Sequence, residues 1–196
     1  MKALRTGICM LGLALGAVDA SAGDFSFTGN FADDNEVQPF TFTVDDASAV
    51  IILRTLSWGG GTSAGGSVVS AGGFDPIITV FDALDGQALW ENDDGNPHTG
   101  DSELRIQLWE GDYVVTLTQY DNYIGGFYLS DGFTTTGTVG FDGRSPHWAI
   151  DILNVAHAAS GDSYVAAIPE PETYAMLLAG LGLLGWKHRS GARKQV

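Results

Sequence analysis

The stretch from Glu91 to Asp101 reads Glu-Asn-Asp-Asp-Gly-Asn-Pro-His-Thr-Gly-Asp. Glu91, Asn92, Asp93, Asp94 and Asp101 gather five hard oxygen-bearing side chains within it, and Gly95 permits a sharp turn. Calcium takes about six to eight such oxygens, so these residue types point to cation binding. The spacing is not that of an EF-hand. With Gly95 as the loop glycine, the first ligand position falls on Trp90, and Asp101 replaces the usual Glu. A second cluster, Asp33, Asp34, Asn35 and Glu36, precedes another apolar run. Asx-rich segments also form turns that satisfy their own backbone, and spacing alone leaves both readings open for both clusters.

Catalytic patterns are weaker. Gly61-Thr62-Ser63-Ala64-Gly65 matches a nucleophile elbow in letters, but an elbow needs a strand before it and a helix after. Here the flanks are more Gly and Ser. His98, His147 and His157 form no zinc-binding His-Glu-x-x-His helix. Carboxylates are numerous, and sequence cannot measure a glycosidase pair separation. The expectation is therefore no catalytic residue and no enzyme. Trp58 and Trp90 close apolar runs beside loops and are candidates for glycan contact, with ordinary packing as the competing role.

The elements that must position these groups read as strands. Alternation marks Phe25 to Gly29, Phe40 to Val44, Leu104 to Leu108 and Tyr113 to Thr118, and longer apolar runs cover Val50 to Leu56 and Ile77 to Phe81. Phe127 to Leu129, Trp148 to Leu153 and Tyr164 to Ala167 are fainter. Gly and Asp punctuate the runs, and no capped 3.6-residue period intervenes. The expected class is all-β, an antiparallel sandwich or jelly-roll-like body. Trp58 to Asp75, rich in Gly and Ser, reads as a mobile surface loop.

Charge narrows the partners. Region 23–168 holds 21 acidic and three basic residues, a net charge of −18. That field repels nucleic acid and concentrates cations. Cys9, in the N-terminal apolar run, is the single cysteine, so the body has neither disulfides nor thiolate metal ligands.

Both ends read as addresses. Lys2 and Arg5 precede an apolar run from Gly7 to Val18, followed by Ala20-Ser21-Ala22. This is the layout of a secretory signal helix over 1–22, removed by signal peptidase at the site marked by Ala20 and Ala22. At the other end Pro169-Glu170-Pro171 leads into an apolar segment, 173–186, then a basic cluster, 187–194. As a helix the segment is short for the hydrocarbon core but spans it with local thinning. Its basic flank stays cytoplasmic, which leaves the body, 23–168, outside.

The tail 169–196 resembles the PEP-CTERM sorting signal of Gram-negative bacteria, on Pro169-Glu170-Pro171, Thr173, the Leu/Gly-rich run and the terminal basic residues. The resemblance implies a membrane-tethered intermediate, processing near the tripeptide by an exosortase-type enzyme, and delivery to the cell surface or extracellular matrix of a biofilm-forming bacterium that makes exopolysaccharide. Segments 29–44, 72–95 and 101–122 resemble β-sandwich proteins that carry this tail and, distantly, bacterial pre-peptidase C-terminal domains. That likeness implies a non-catalytic module with calcium in acidic loops, held here by Asn92, Asp93, Asp94 and Asp101, then Asp33, Asp34 and Glu36. A structural or adhesive matrix role follows. A surface hydrolase or glycan-active enzyme, and a glycan-binding module, are the competing readings.

Overall fold

The computed structural model describes residues 22–95, 98–135 and 140–165. Within them lie twelve strands: β1 (Gly23–Asn30), β2 (Glu36–Val44), β3 (Ile51–Thr55), β4 (Gly61–Thr62), β5 (Val68–Val69), β6 (Pro76–Asp82), β7 (Ala88–Asn92), β8 (Glu103–Ile106), β9 (Gly111–Gln119), β10 (His147–Val155), β11 (His157–Ser160) and β12 (Tyr164–Val165). Two three-residue 3-10 turns, Leu129–Asp131 and Phe141–Gly143, are the helical pieces among the described residues. The all-β, antiparallel expectation is met.

Two sheets carry the fold. One runs β1-β10-β3-β8, the other β11-β2-β9-β6-β7 with β12 also on β2, and β4 pairs with β5 apart from both. The period-two pattern explains the faces. In β3, Ile51, Leu53 and Thr55 are buried while Ile52 and Arg54 are partly exposed. In β2, Phe40, Phe42 and Val44 point inward. The two inner faces meet in one core that joins Leu53, Ile150 and Ile152 of the first sheet to Phe40, Ile78, Val115 and Leu117 of the second. Rings lock the layers across the gap: Phe27 to Phe40 at 5.2 Å and Phe40 edge-on to Trp148 at 5.7 Å between centroids. Burying each such side chain contributes roughly 1.5–3 kcal/mol.

Two sequence expectations change. Trp58 to Asp75 is an anchored segment rather than a free loop: it contains the β4–β5 hairpin, and Ala64 N–H donates to Asp151 at 3.0 Å while Gly65 N–H donates to Ser26 at 2.9 Å. Phe127 to Leu129 is not a strand. It docks on the β6–β7 turn through Ala88 N–H to Phe127 O and Leu129 N–H to Gly86 O. Trp148 to Leu153, faint in the sequence, is a strand: it lies in β10, which sits between β1 and β3 and completes the first sheet.

No helix among the described residues is long and apolar enough to cross a membrane. The expected signal helix with Ala20, and the tail with Pro169, Glu170, Pro171 and the 173–186 helix, lie outside the described residues. Ala22 is the first described residue and is exposed.

Candidate functional site

The β6–β7 hairpin builds the site. Its register sets Ile78 opposite Asn92 and Thr79 opposite Glu91. Extending both strands past these pairs brings the residue before β6, Asp75, alongside the residues after β7, Asp93 and Asp94. Their carboxylates offer oxygens that lie within 4.8 Å of one another. Asp75 is held extended by the following Pro76, and its carbonyl accepts from Tyr120 N–H at 2.7 Å.

The turn that carries Asp93 is fixed from beneath. The buried Ser102 hydroxyl lies 2.5 Å from the carbonyl oxygens of Pro76 and Asp93 and 2.9 Å from that of Asn92, with one proton among the three. Asn92 Oδ1 accepts from Glu103 N–H at 2.9 Å. Gly95 is needed for close approach: a Cβ there would fall 2.2 Å from Glu103 N and 2.6 Å from Glu103 O. The Tyr123 hydroxyl donates to Asp93 Oδ2 at 2.7 Å.

Two carboxylate oxygens in this cluster are anomalous. Asp75 Oδ1 and Asp93 Oδ1 are both shielded from solvent and have no hydrogen-bond donor among the described residues. Buried polar atoms almost always find a partner, so such orphans call for an unseen one. The electrostatics agree. Burial pushes the Asp75 carboxyl up to about 6, helped by Asp93 and Asp94 and opposed by Arg144. Burial also raises Asp93, with the Tyr123 hydrogen bond acting against it and Asp94 adding to it. Burial and then the bond to Asp93 raise the Tyr123 phenol. Asp75 and Asp93, each with an orphaned oxygen and raised proton affinity, stand beside the Asp94 carboxylate with Arg144 as counter-cation, a donor set whose chemistry suits protons or a hard divalent cation.

The sign of the pH effect follows. In chelator, folded Asp75 keeps its proton to about 6, against 3.8 as its ordinary value. Between these values the folded chain binds more protons than the unfolded one, so this group's contribution to stability falls as pH rises across that window. Melting temperatures in EDTA from pH 4 to pH 7 should decline more steeply for the native chain than for Asp75→Asn; identical slopes would refute the assignment.

The structure does not bring every sequence candidate here. Asp101 is buried and fully committed elsewhere: Oδ1 accepts from Thr55 Oγ1 at 3.1 Å and Trp58 N–H at 3.0 Å, and Oδ2 from Gly59 N–H at 2.8 Å. It pins the start of the Gly-rich segment to β3. Asn92 serves Glu103. Asp33, Asp34 and Glu36 form the turn that their composition also allowed: Asp33 Oδ1 accepts from Asn35 N–H at 2.8 Å, Asp34 Oδ2 from Gly140 N–H at 2.9 Å, and Glu36 Oε2 from Ala32 N–H at 2.6 Å. Asp75 was missed. The signal for it was an Asp at the start of the strand that pairs with the one leading into the acidic run.

The tryptophans also differ from expectation. The Arg144 guanidinium covers the Trp58 ring, 3.4 Å from its centroid, and also bonds the carbonyls of Trp58 and Gly73. That face is closed to a sugar. Trp90 is half exposed on the edge strand β7.

Comparison with known families locates one feature. Residues 167–194 match the PEP-CTERM protein-sorting motif. The chain therefore carries the mark of an exported protein, sorted to the cell surface through an exosortase-type enzyme. No curated protein matches the chain.

Proposed function

We propose that this exported chain delivers a non-catalytic, calcium-stabilised β-sandwich of jelly-roll type to the cell surface or extracellular matrix of a Gram-negative bacterium, where it serves a structural or adhesive role. The observation that carries the calcium reading is the pair of shielded, donorless oxygens on Asp75 and Asp93 beside Asp94. A divalent cation there would supply positive charge to all three carboxylates and tie the start of β6 to the turn after β7. Asp75, Asp93 and Asp94 would hold it, with Tyr123 orienting Asp93 and Arg144 balancing the residual charge.

The delivery reading has two steps. Signal peptidase removes the segment ending at Ala22, and the apolar run 173–186 holds a membrane-tethered intermediate, its basic flank in the cytoplasm. Exosortase-type processing near Pro169-Glu170-Pro171 then frees the body. The −18 charge of the body suits a protein held in a matrix by cation bridges and argues against nucleic-acid partners.

Mass spectrometry of the chain extracted from the cell surface tests this reading. Surface material should begin after Ala22 and lack Trp186 and everything beyond it. Replacing Pro169, Glu170 and Pro171 by Ala should leave an uncut, membrane-bound form as the main species. Surface protein that still carries Lys187 to Lys194 would contradict it.

A further inference from the structure

A different end of the fold carries a second site. The β2–β3 loop, the β6–β7 turn and the β8–β9 loop meet there: Gln107 Nε2 donates to Ser48 O at 3.0 Å and Ala83 N–H to Asp112 O at 3.1 Å. Trp109 stands among them with 83% of its surface exposed, and Leu84 with 95%. The Trp109 backbone is fixed, its carbonyl accepting from the buried Tyr113 hydroxyl at 2.8 Å. The indole itself is left almost wholly in water beside the equally exposed Leu84, an apolar pair open to a ligand.

Trp109 lines two hollows. One, of about 440 Å³, is bordered by Asp82, Leu84, Glu110, Asp112 and Tyr113. The other, of about 280 Å³, is bordered by Ala47, Gln107 and Leu108. Among the described residues, no basic one borders either. Asp82 and Asp112 each spend one oxygen locally, on Leu84 N–H at 2.7 Å and the Thr43 hydroxyl at 2.7 Å. Their second oxygens, and the whole Glu110 carboxylate, have no protein partner among the described residues.

This chemistry selects a ligand. An aromatic face takes the apolar C–H face of a sugar ring and also attracts a cation above it. The surrounding carboxylates only accept hydrogen bonds, so they favour a donor-rich, positively charged ligand and repel an anionic one. One recurring mode of peptide capture is main-chain pairing at a sheet edge. Here the recognition groups are side chains, Trp109 and Glu110 on the β8–β9 loop with Asp82 and Asp112 at the adjoining ends of β6 and β9, and the Ala83 and Leu84 N–H groups are already bonded. We propose that Trp109 is the platform of a binding site for a glycan bearing free amino groups, with Glu110, Asp82 and Asp112 receiving its ammonium and hydroxyl protons. The biological setting rests on the adhesive reading above, to which this adds a ligand class, while the contact itself is separate from the Asp75 cluster.

Titration calorimetry of the full-length chain with a glucosamine tetramer tests the site, at about 0.15 M salt to screen long-range attraction. The tetramer should bind, its fully N-acetylated form roughly tenfold more weakly. Trp109→Ala should weaken binding about tenfold without moving the melting temperature, Trp109→Phe should retain most of it, and Glu110→Gln should cost a few-fold. Undetectable binding, or binding undiminished in Trp109→Ala, would overturn the proposal. So would equal affinity for tetralysine, which would mark an unselective cation or peptide site. Reducing ends released from the tetramer would instead remove the non-catalytic reading and leave the Trp109 site in place.

Discussion

Replacing Asp151 with Ala should destabilise the chain by about 3 kcal/mol, near the lower end for breaking a buried ion pair. Asp151 lies on β10 with no exposed surface. Its neighbours across the sheet are Ser26 of β1 and Arg54 of β3. Oδ1 accepts from the Ser26 hydroxyl at 2.6 Å, and Oδ2 from Arg54 Nε at 2.9 Å, Arg54 Nη2 at 2.8 Å and Ala64 N–H at 3.0 Å. One carboxylate thus joins three strands and the Gly-rich segment that covers them. Without it, a guanidinium whose side chain is one-third exposed and a backbone N–H lose their partner together. The melting temperature should fall by about 6–12 °C for a body of this size, and the β4–β5 hairpin should become open to protease. The surface pair Arg105–Glu103 is the control, since Arg105 is mostly exposed. Glu103→Gln should change stability by less than about 0.5 kcal/mol. A loss under about 1 kcal/mol for Asp151→Ala would mean that the hairpin is not tied down as described.

Calcium should raise the melting temperature of the full-length chain by about 3–10 °C. Extracellular calcium modules bind at about 10⁻⁴–10⁻³ M, so calcium at about 10 mM stands at roughly ten to a hundred times Kd and adds about 1.4–2.7 kcal/mol. Magnesium should do much less, because it sheds its water reluctantly. Asp75→Asn should abolish the shift and should not destabilise the chain in EDTA, because it removes one of three mutually repelling carboxylates. Asp34→Asn should leave the shift intact, since Asp34 is engaged with Asn35 and Gly140. Asp101→Asn should lower stability equally with and without calcium. Its carboxylate receives two backbone N–H groups and the Thr55 hydroxyl, and an amide would set donors against donors. A shift that disappeared with Asp34 or Asp101 but survived in Asp75→Asn would move the cation to another loop.

The strands of the two sheets were legible where one face is buried and the other is not. Phe40, Phe42 and Val44, or Tyr113, Val115 and Leu117, announce themselves by alternation. Strands held by something other than a buried face were not. β7 exposes Leu89, Trp90 and Glu91 and exists because β6 supplies a hydrogen-bonding edge. The β4–β5 hairpin is fixed by Asp151 and Ser26, both remote in sequence, and its own Gly and Ser residues carry no trace of that anchor.

The site followed the same division. Asp93 and Asp94 are adjacent in the chain and could be paired on sight. Asp75 joins them only through the hairpin register. Asp101, a few residues from Asp94, is turned into the core by donors from β3 and the following loop. Composition could not separate these fates, because a carboxylate bound by backbone N–H groups and one facing other carboxylates are the same letter. Trp58 and Trp109 show this for aromatic residues: Arg144 closes one face, whereas the β8–β9 loop holds the other out in water.

Calcium titration calorimetry on the full-length chain and its Asp75→Asn variant is the most direct test of a cation held by Asp75, Asp93 and Asp94. The native chain should bind about one calcium per molecule at millimolar concentration or below, as for extracellular calcium modules, and Asp75→Asn should bind none in that range. A native chain that takes up no calcium, or a variant that binds it undiminished, would contradict the site.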